Sequence, residues 1–386
     1  MTLKPRSEKY PFVRPPLTIA MVAVLIQAIS TTVAIAQTAP GYPGKDWQVV
    51  KPESEGYSSA KLEALRAWLA AGPTTGMMIL VHGHMIFGYG DTVKVSKIAS
   101  VRKSILSILY GKYVANNTID LNKTVEQLDL EEPGKPFLPD EKRATLEQLL
   151  AGRSGIYLLP DYVPPEKDLI VASQPHRGSE LPGMYFHYND WDFNAAGTAF
   201  EKLTGKSIYD ALETDLAQPL GMQDFDRSLQ KKISHQGQVH PEYAMYLSTR
   251  DMARIGLLML RGGNWAGKQI VPISWVARSL DPTTPFEEMN PLYLRSLGAP
   301  ERWGFGLMWW AWDAASFPGG IYITPFQGAD EARGTAGQYI TLLPAKDMVL
   351  VHKVYIDVYP QPAINQEEWD TITNMAISAV CSGPCK

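Results

Sequence analysis

The stretch KIASVRKSILSILYG, residues 97–111, sets Ser100 three positions ahead of Lys103 at the head of an apolar run. Ile105, Leu106, Ile108 and Leu109 supply the buried faces of a helix that Ser100 would open. Residues i and i+3 share a helix face, so the Lys103 amine can reach the Ser100 hydroxyl. A helix N-terminus offers unpaired N–H groups and partial positive charge, which suit a developing oxyanion. A serine is a weak nucleophile until a base takes its proton, and lysine is such a base only where burial or nearby cations weaken its hold on its own proton. The competing reading is an ordinary serine N-cap. The same S-x-x-K spacing recurs at Ser58…Lys61 and Ser228…Lys231, both readable as helix-start or surface residues. Ser100 differs in following a strand hairpin and opening the most apolar helix beyond the leader. No G-x-S-x-G elbow occurs, and AGRSGI lacks its spacing, which disfavours an α/β-hydrolase.

Working outward, residues 76–90 (GMMILVHGHMIFGYG) predict a hairpin turning at His82-Gly83-His84, with those histidines as loop residues rather than metal ligands. SSAKLEALRAWLAA before it has helical spacing, with Leu62, Leu65, Trp68 and Leu69 on one face and Ser58 or Ser59 as cap. From about Asp120 to Leu260 the chain reads as mainly helical with long Pro- and Gly-rich loops, and after Ile270 strand signals return. YITLLPAKDMVLVHKVY (339–355) predicts two strands around a turn, and NQEEWDTITNMAISAV a closing helix capped at Asn365. Strands at both ends with helices between predict an α+β fold. Its antiparallel sheet is built from both chain ends, flanked by helices, and carries a mainly helical inserted lobe at about 120–262.

The 386 residues carry a formal charge of −4 and no basic run outside the N-terminus, so nothing points to nucleic acid, and small molecules are the expected partners. Lys4, Arg6, Lys9 and Arg14 precede an uncharged apolar stretch, Leu17 to Ala36, ending Ala34-Ile35-Ala36. This reads as a signal peptide cleaved before Gln37, leaving residues 37–386 as the mature domain, exported to a bacterial periplasm or secreted. A retained inner-membrane anchor is the alternative. The two cysteines, Cys381 and Cys385, can form a small terminal disulfide in an exported protein. Oligomeric state is left open.

Several segments resemble, in order, the serine β-lactamase and penicillin-binding-protein superfamily, specifically its class C-like branch, which includes esterases and 6-aminohexanoate-oligomer hydrolases. KIASVRKSILSILYG is similar to its active-site segment and MMILVHGHMIFGYGD to its approach strands. TLEQLLAGRSGI resembles L-L-x-x-x-S-G-[IL], and FHYNDWDFNAAG resembles F-x-Y-S-N-x-x-Y-x-L-L-G. STRDMARIGLLML, GNWAGKQIVPISWV, RWGFGLMWW and GTAGQYITLLPAKDMVLV match further stretches. The resemblance implies the β-lactamase-like fold and a cofactor-free, metal-free acyl-enzyme mechanism. Ser100 is then the acyl acceptor, with Lys103 and Tyr188 moving protons. The backbone N–H groups of Ser100 and Gln338, the latter on an edge strand, form the oxyanion hole.

Two departures bear on substrate. The usual Tyr-x-Asn is Tyr188-Asn189-Asp190, whose carboxylate favours a protonated Lys103 and so either shifts the basic role onto Tyr188 or reads a cationic or N–H group of a substrate. The usual Lys-Thr-Gly or His-x-Gly is Thr335-Ala336-Gly337, which lacks the cation that holds a β-lactam carboxylate, unless Arg333 replaces it. Asp190, Thr335, Gly337 and Tyr157 are the expected substrate-binding residues, and His187 stands beside Tyr188. The expected activity is hydrolysis of carboxylic esters or linear amides. A β-lactamase or D-alanyl-D-alanine peptidase is the alternative, and a non-catalytic ligand-binding protein of this fold a further one.

Overall fold

In the computed structural model, the two hairpins expected near the chain ends lie side by side. The structure describes residues 41–160, 172–234, 239–289, 302–313, 326, 328–357 and 362–385; the leader expected at 1–36 lies outside them. Strands β1 (Thr74–Val81) and β2 (His84–Gly90) form the first hairpin, and three short pairs follow it. These are β3 (Ser96–Lys97) with β6 (Tyr246–Leu247), β4 (Lys231–Ile233) with β5 (Glu242–Ala244), and β7 (Asn264–Trp265) with β8 (Lys268–Gln269). The main sheet continues with β9 (Trp303–Phe305), β10 (Trp310–Trp312), β11 (Asp330–Gly334), β12 (Gln338–Leu343) and β13 (Met348–Val354). Its order is β2-β1-β13-β12-β11-β10-β9, antiparallel throughout, with Thr74 opposite Val354 and Val81 opposite Met348. Strands β12 and β13 are buried on both faces, which explains their unbroken apolar runs.

The edge-strand expectation needs correcting here. Gln338 does not stand on an edge strand: β12 is interior, because β11 and the Trp-rich β10 and β9 extend the sheet beyond it. After Ile270 strands do return, but first comes a helix the sequence reading did not single out. It spans Ile273–Leu280, burying Trp275, Val276 and Ser279 along one face after Pro272.

The helices are α1 (Ser59–Ala70), α2 (Val101–Ala115), α3 (Leu146–Leu150), α4 (Asp190–Thr204), α5 (Thr249–Leu260), α6 (Ile273–Leu280) and α7 (Gln366–Ser378); α2, α5 and α7 pack against the sheet, and α3 packs on α4. Helix α7 starts with a reciprocal capping box between Asn365 and Glu368. Its Trp369 stacks on Tyr339 at 4.7 Å and donates to Glu331 Oε1 at 2.9 Å. Cys381 and Cys385 are bonded, and the Lys61 amine is used on the Ser378 and Val380 carbonyls, fastening the chain end to α1. Ser58 caps α1 and Ser228 bonds Asp226, so both further S-x-x-K pairs are structural. His82 and His84 each bond Glu55, a clip across the β1–β2 turn. Among the described residues no His, Cys, Asp and Glu cluster could hold a metal, and no helix is long and apolar enough to cross a membrane.

Helix α5 lies directly on the sheet at Gly256, where an added Cβ would come 2.6 Å from Val349 Cγ1 and 2.9 Å from Ile340 Cγ2. Both neighbours are β-branched and stiff. Gly256→Ala is therefore expected to cost about 1–3 kcal/mol in a denaturant melt, reversing the gain of ~1 kcal/mol usual for Gly→Ala inside a helix.

Candidate active site

Ser100 occupies the N-cap position of α2 yet makes no capping bond with its side chain. Its Oγ instead accepts from Lys103 Nζ at 2.9 Å. The same amine donates to the Tyr188 hydroxyl at 2.8 Å and makes a very short contact with Asp190 Oδ1. The Tyr188 and Phe193 rings lie 4.4 and 5.1 Å from Nζ. Lys103 is 2% exposed, and Arg102 beside it is also buried. Burial pulls the Lys103 ammonium down to about 8; Asp190 opposes this and Arg102 adds to it. The amine thus lies within reach of deprotonation near neutral pH while touching both hydroxyls.

Chain geometry presents Ser100. Ile98 pairs with Met245 beside the β3–β6 ladder, and Ala99 turns into α2 at φ +46°, a left-handed conformation uncommon for alanine. Strand β11 closes the other side. A Cβ added to Gly334 would come 2.7 Å from the Ile98 carbonyl oxygen and 3.2 Å from the Ser100 nitrogen, so only glycine allows this approach. Thr335-Ala336-Gly337 forms the turn from β11 to β12, with Ala336 at φ +65°, Gly337 at φ +101° and Gly337 N–H donating to Gly334. His352 fixes this turn, its Nδ1 2.6 Å from the Gly337 carbonyl oxygen and its Nε2 2.9 Å from Thr74 Oγ1. Burial lowers His352 to about 4, so it is neutral. Thr335 is half-buried next to Gly334, and among the described residues neither its N–H nor that of Ser100 has an acceptor. Gln338 is wholly buried in register with Gly334, and its side-chain amide donates to Val354.

Tyr188 and Asp190 are placed by a brace that sequence reasoning missed. Asn189 caps α4, and its Nδ2 donates to the Ile156 carbonyl at 2.7 Å and to Asp192 Oδ1 at 3.1 Å. Ser154 donates to the same Asp192 oxygen at 2.7 Å, and His187 N–H bonds the Gly152 carbonyl. The Ser-Gly of AGRSGI thus serves as a support for the tyrosine loop. Its only sequence signal is the pairing of that motif with the acidic residue four after Tyr188. Arg102, bonded to Asn194 at 2.8 Å, was missed too. Trp310 stacks near Tyr188 at 6.0 Å and Phe305 meets it edge-on.

Tyr157 is not brought to this cluster by any contact among the described residues. It meets His187 edge-on at 6.0 Å, and burial holds His187 neutral by lowering it to about 4. Arg333 is buried between Trp303 and Trp310 and bonded to Glu331 at 2.6 Å, so its charge is already countered.

The profile of the Beta-lactamase family matches residues 65–354, three quarters of the chain. The protein belongs to that family. Solved structures agree in fold. A proposed 6-aminohexanoate-dimer hydrolase from Bacillus anthracis is 21% identical with a TM-score of 0.62, over 88% of this chain and 87% of that one. EstCE1, a hydrolase with promiscuous acyltransferase activity, is 14% identical with a TM-score of 0.57, over 85% and 99%. A class C β-lactamase in complex with cefoxitin is 13% identical with a TM-score of 0.57, over 85% and 99%.

Because Asp190 favours the charged amine, removing its charge while keeping its shape weakens that preference. Asp190→Asn is expected to lower the titration midpoint of Lys103, followed by ¹³Cε NMR, by roughly one unit below its wild-type value. A midpoint that stays put or rises would show that Asp190 does not govern the lysine.

Proposed function

We propose that this member of the Beta-lactamase family is a serine hydrolase acting through an acyl-enzyme at Ser100 on carboxylic esters or linear amides. The observation that carries the reading is the single buried amine bridging the Ser100 and Tyr188 hydroxyls. In acylation, Ser100 Oγ attacks the substrate carbonyl carbon and its proton passes to Lys103, directly or by way of Tyr188. The carbonyl oxygen becomes an oxyanion facing the Ser100 N–H at the α2 N-terminus. As its second donor we take the N–H of Thr335 in place of that of Gln338, since the preceding Gly334 lies so near Ser100 that a Cβ on it would come 3.2 Å from the Ser100 nitrogen, and Gln338 is buried. Tyr188 returns the proton to the leaving alcohol or amine as the tetrahedral adduct collapses. Water then repeats the sequence against the acyl-serine, with the same groups taking and returning its proton.

The third-motif turn supports ester or linear amide substrates over β-lactams. Thr335 brings no charge, and the buried Arg333 guanidinium lies between two tryptophans with its Nε on Glu331, so among the described residues of that turn no exposed cation faces a β-lactam carboxylate. Gly337 shapes the turn, and Asp190 contacts the amine that touches both hydroxyls. The basic and apolar N-terminal stretch supports export, to a periplasm or the exterior.

Mixing the mature protein with p-nitrophenyl acetate in stopped flow is expected to give a nitrophenol burst. Intact mass should show one added acetyl group mapping to Ser100, and neither should appear in Ser100→Ala. Nitrocefin is expected to turn over far more slowly than the ester. Absence of burst and adduct across several acyl chain lengths would overturn the reading in favour of a ligand-binding role. Rapid nitrocefin turnover would instead make the protein a β-lactamase.

A further inference from the structure

The amine that the proposed reaction uses has a charged neighbour that the reaction does not. Arg102 is 4% exposed and directly precedes Lys103 on α2. Its Nη2 donates to Asn194 Oδ1 at 2.8 Å, its Nε lies 3.7 Å from Glu242 Oε1, and its Cζ stands 4.2 Å from the Tyr243 ring centroid. Its Nη1 is buried with no acceptor among the described residues. Asn194 stands one helical turn beyond Asp190 on α4, so α2 and α4 are joined by two successive polar rungs, Lys103 to Asp190 and Arg102 to Asn194. Glu242 reaches from β5 to both Arg102 and the partly exposed Lys97, whose Nζ is 3.1 Å away.

A packing role alone would not call for a buried guanidinium. The rung to Asn194 needs one donor, and an amide could supply it without the cost of burying a cation. What a cation adds is a field at the next residue. The charged and titratable groups around Lys103 are Arg102 on its own helix, Tyr188 in the loop before α4, Asp190 at the start of α4 and Glu242 on β5, with Tyr243 of β5 against Arg102. Lys97 on β3 lies beyond Glu242, and His187 is neutral. Asp190 and Glu242 favour the ammonium, while Arg102 disfavours it.

We propose that Arg102 is a positioning residue that counterweights Asp190 and so sets how readily Lys103 yields its proton, with Glu242 and Lys97 tuning that influence from the protein surface. This rests on Lys103 being the base of the proposed reaction. Arg102 touches neither Ser100 nor the candidate oxyanion donors, and its effect on chemistry passes through Lys103.

The test compares Glu242→Gln, Arg102→Gln and Arg102→Lys with the wild type. Two readouts are taken: the pH dependence of Ser100 acylation by p-nitrophenyl acetate, and the ¹³Cε titration of Lys103, assigned by its loss in Lys103→Met. Glu242→Gln removes a carboxylate that both favours the ammonium and shields Arg102, so both midpoints should move down, by about half a unit to one unit. Arg102→Gln should move both up by a similar amount, and Arg102→Lys should restore most of the wild-type value. Glu242 is more than a quarter exposed at its side chain, so its variant carries the test even where Arg102→Gln does not fold. Midpoints that stay fixed, or shift the same way in the two charge-removing variants, would overturn the proposal and leave Arg102 as a rung between helices. The NMR titration judges the network without turnover. If Ser100 is never acylated while the lysine midpoints move as expected, the reaction assignment fails and the electrostatic one stands.

Discussion

A single amine with almost no access to water organises this molecule. An isolated buried ammonium costs several kcal/mol, so it persists only where the surrounding groups repay that desolvation. Lys103 finds Asp190, Tyr188 and Ser100 at its nitrogen and two aromatic rings beneath it. The acceptors come from different places: Ser100 from its own helix, Tyr188 from a loop, and Asp190 from the first turn of α4. Their convergence requires α2 to be enclosed almost all round, and every residue from Val101 to Gly111 is buried. The apolarity of this helix and the altered proton affinity of its lysine are thus one fact seen twice.

The two departures from the family's motifs are coupled through that amine. Asp190 adds negative charge where the family has a neutral amide, and the third motif loses a positive charge. Both changes favour the ammonium. Burial and the Arg102 guanidinium work in the opposite direction, and the balance still falls well below an ordinary lysine. A change of local charge pattern can therefore leave a buried amine able to give up its proton, provided that another cation stands close enough to act through the same low-dielectric surroundings.

Much of this was legible in the sequence because it depends on local spacing. The three-residue step from Ser100 to Lys103, the hairpin at His82-Gly83, the paired apolar runs around Pro344 and the cap at Asn365 are all set within a few residues. The Ser154–Asp192 brace, the Arg102–Asn194 rung and the His352 tie to Gly337 were not legible, since each joins residues made neighbours by tertiary packing alone. The place of β12 in the sheet failed for a related reason. Strands of three residues such as β9 and β10 carry too little alternation to announce themselves, and their tryptophans read equally well as core or pocket. Tyr157, expected to bind substrate, meets His187, the neighbour of Tyr188, edge-on.

Rigidity and adjustability are divided within the site. Ala99 before the serine and Ala336 in the β11–β12 turn both hold left-handed backbone, which costs an alanine roughly 1 kcal/mol or more. Such conformations survive where neighbours overdetermine them. Ala99 is fixed between the β3–β6 pair and α2, while Ala336 is held by the Ile364 N–H on its carbonyl and by His352 on the next one. The backbone groups at the serine are therefore set in advance, by steric and hydrogen-bonding constraints that do not vary near neutral pH. The proton on Lys103 is governed instead by a balance of burial and three nearby charges, Asp190, Arg102 and Glu242, any of which can change by one substitution. A substitution among those charges can then shift the proton on Lys103 without disturbing the backbone at Ser100, because the two depend on different physics.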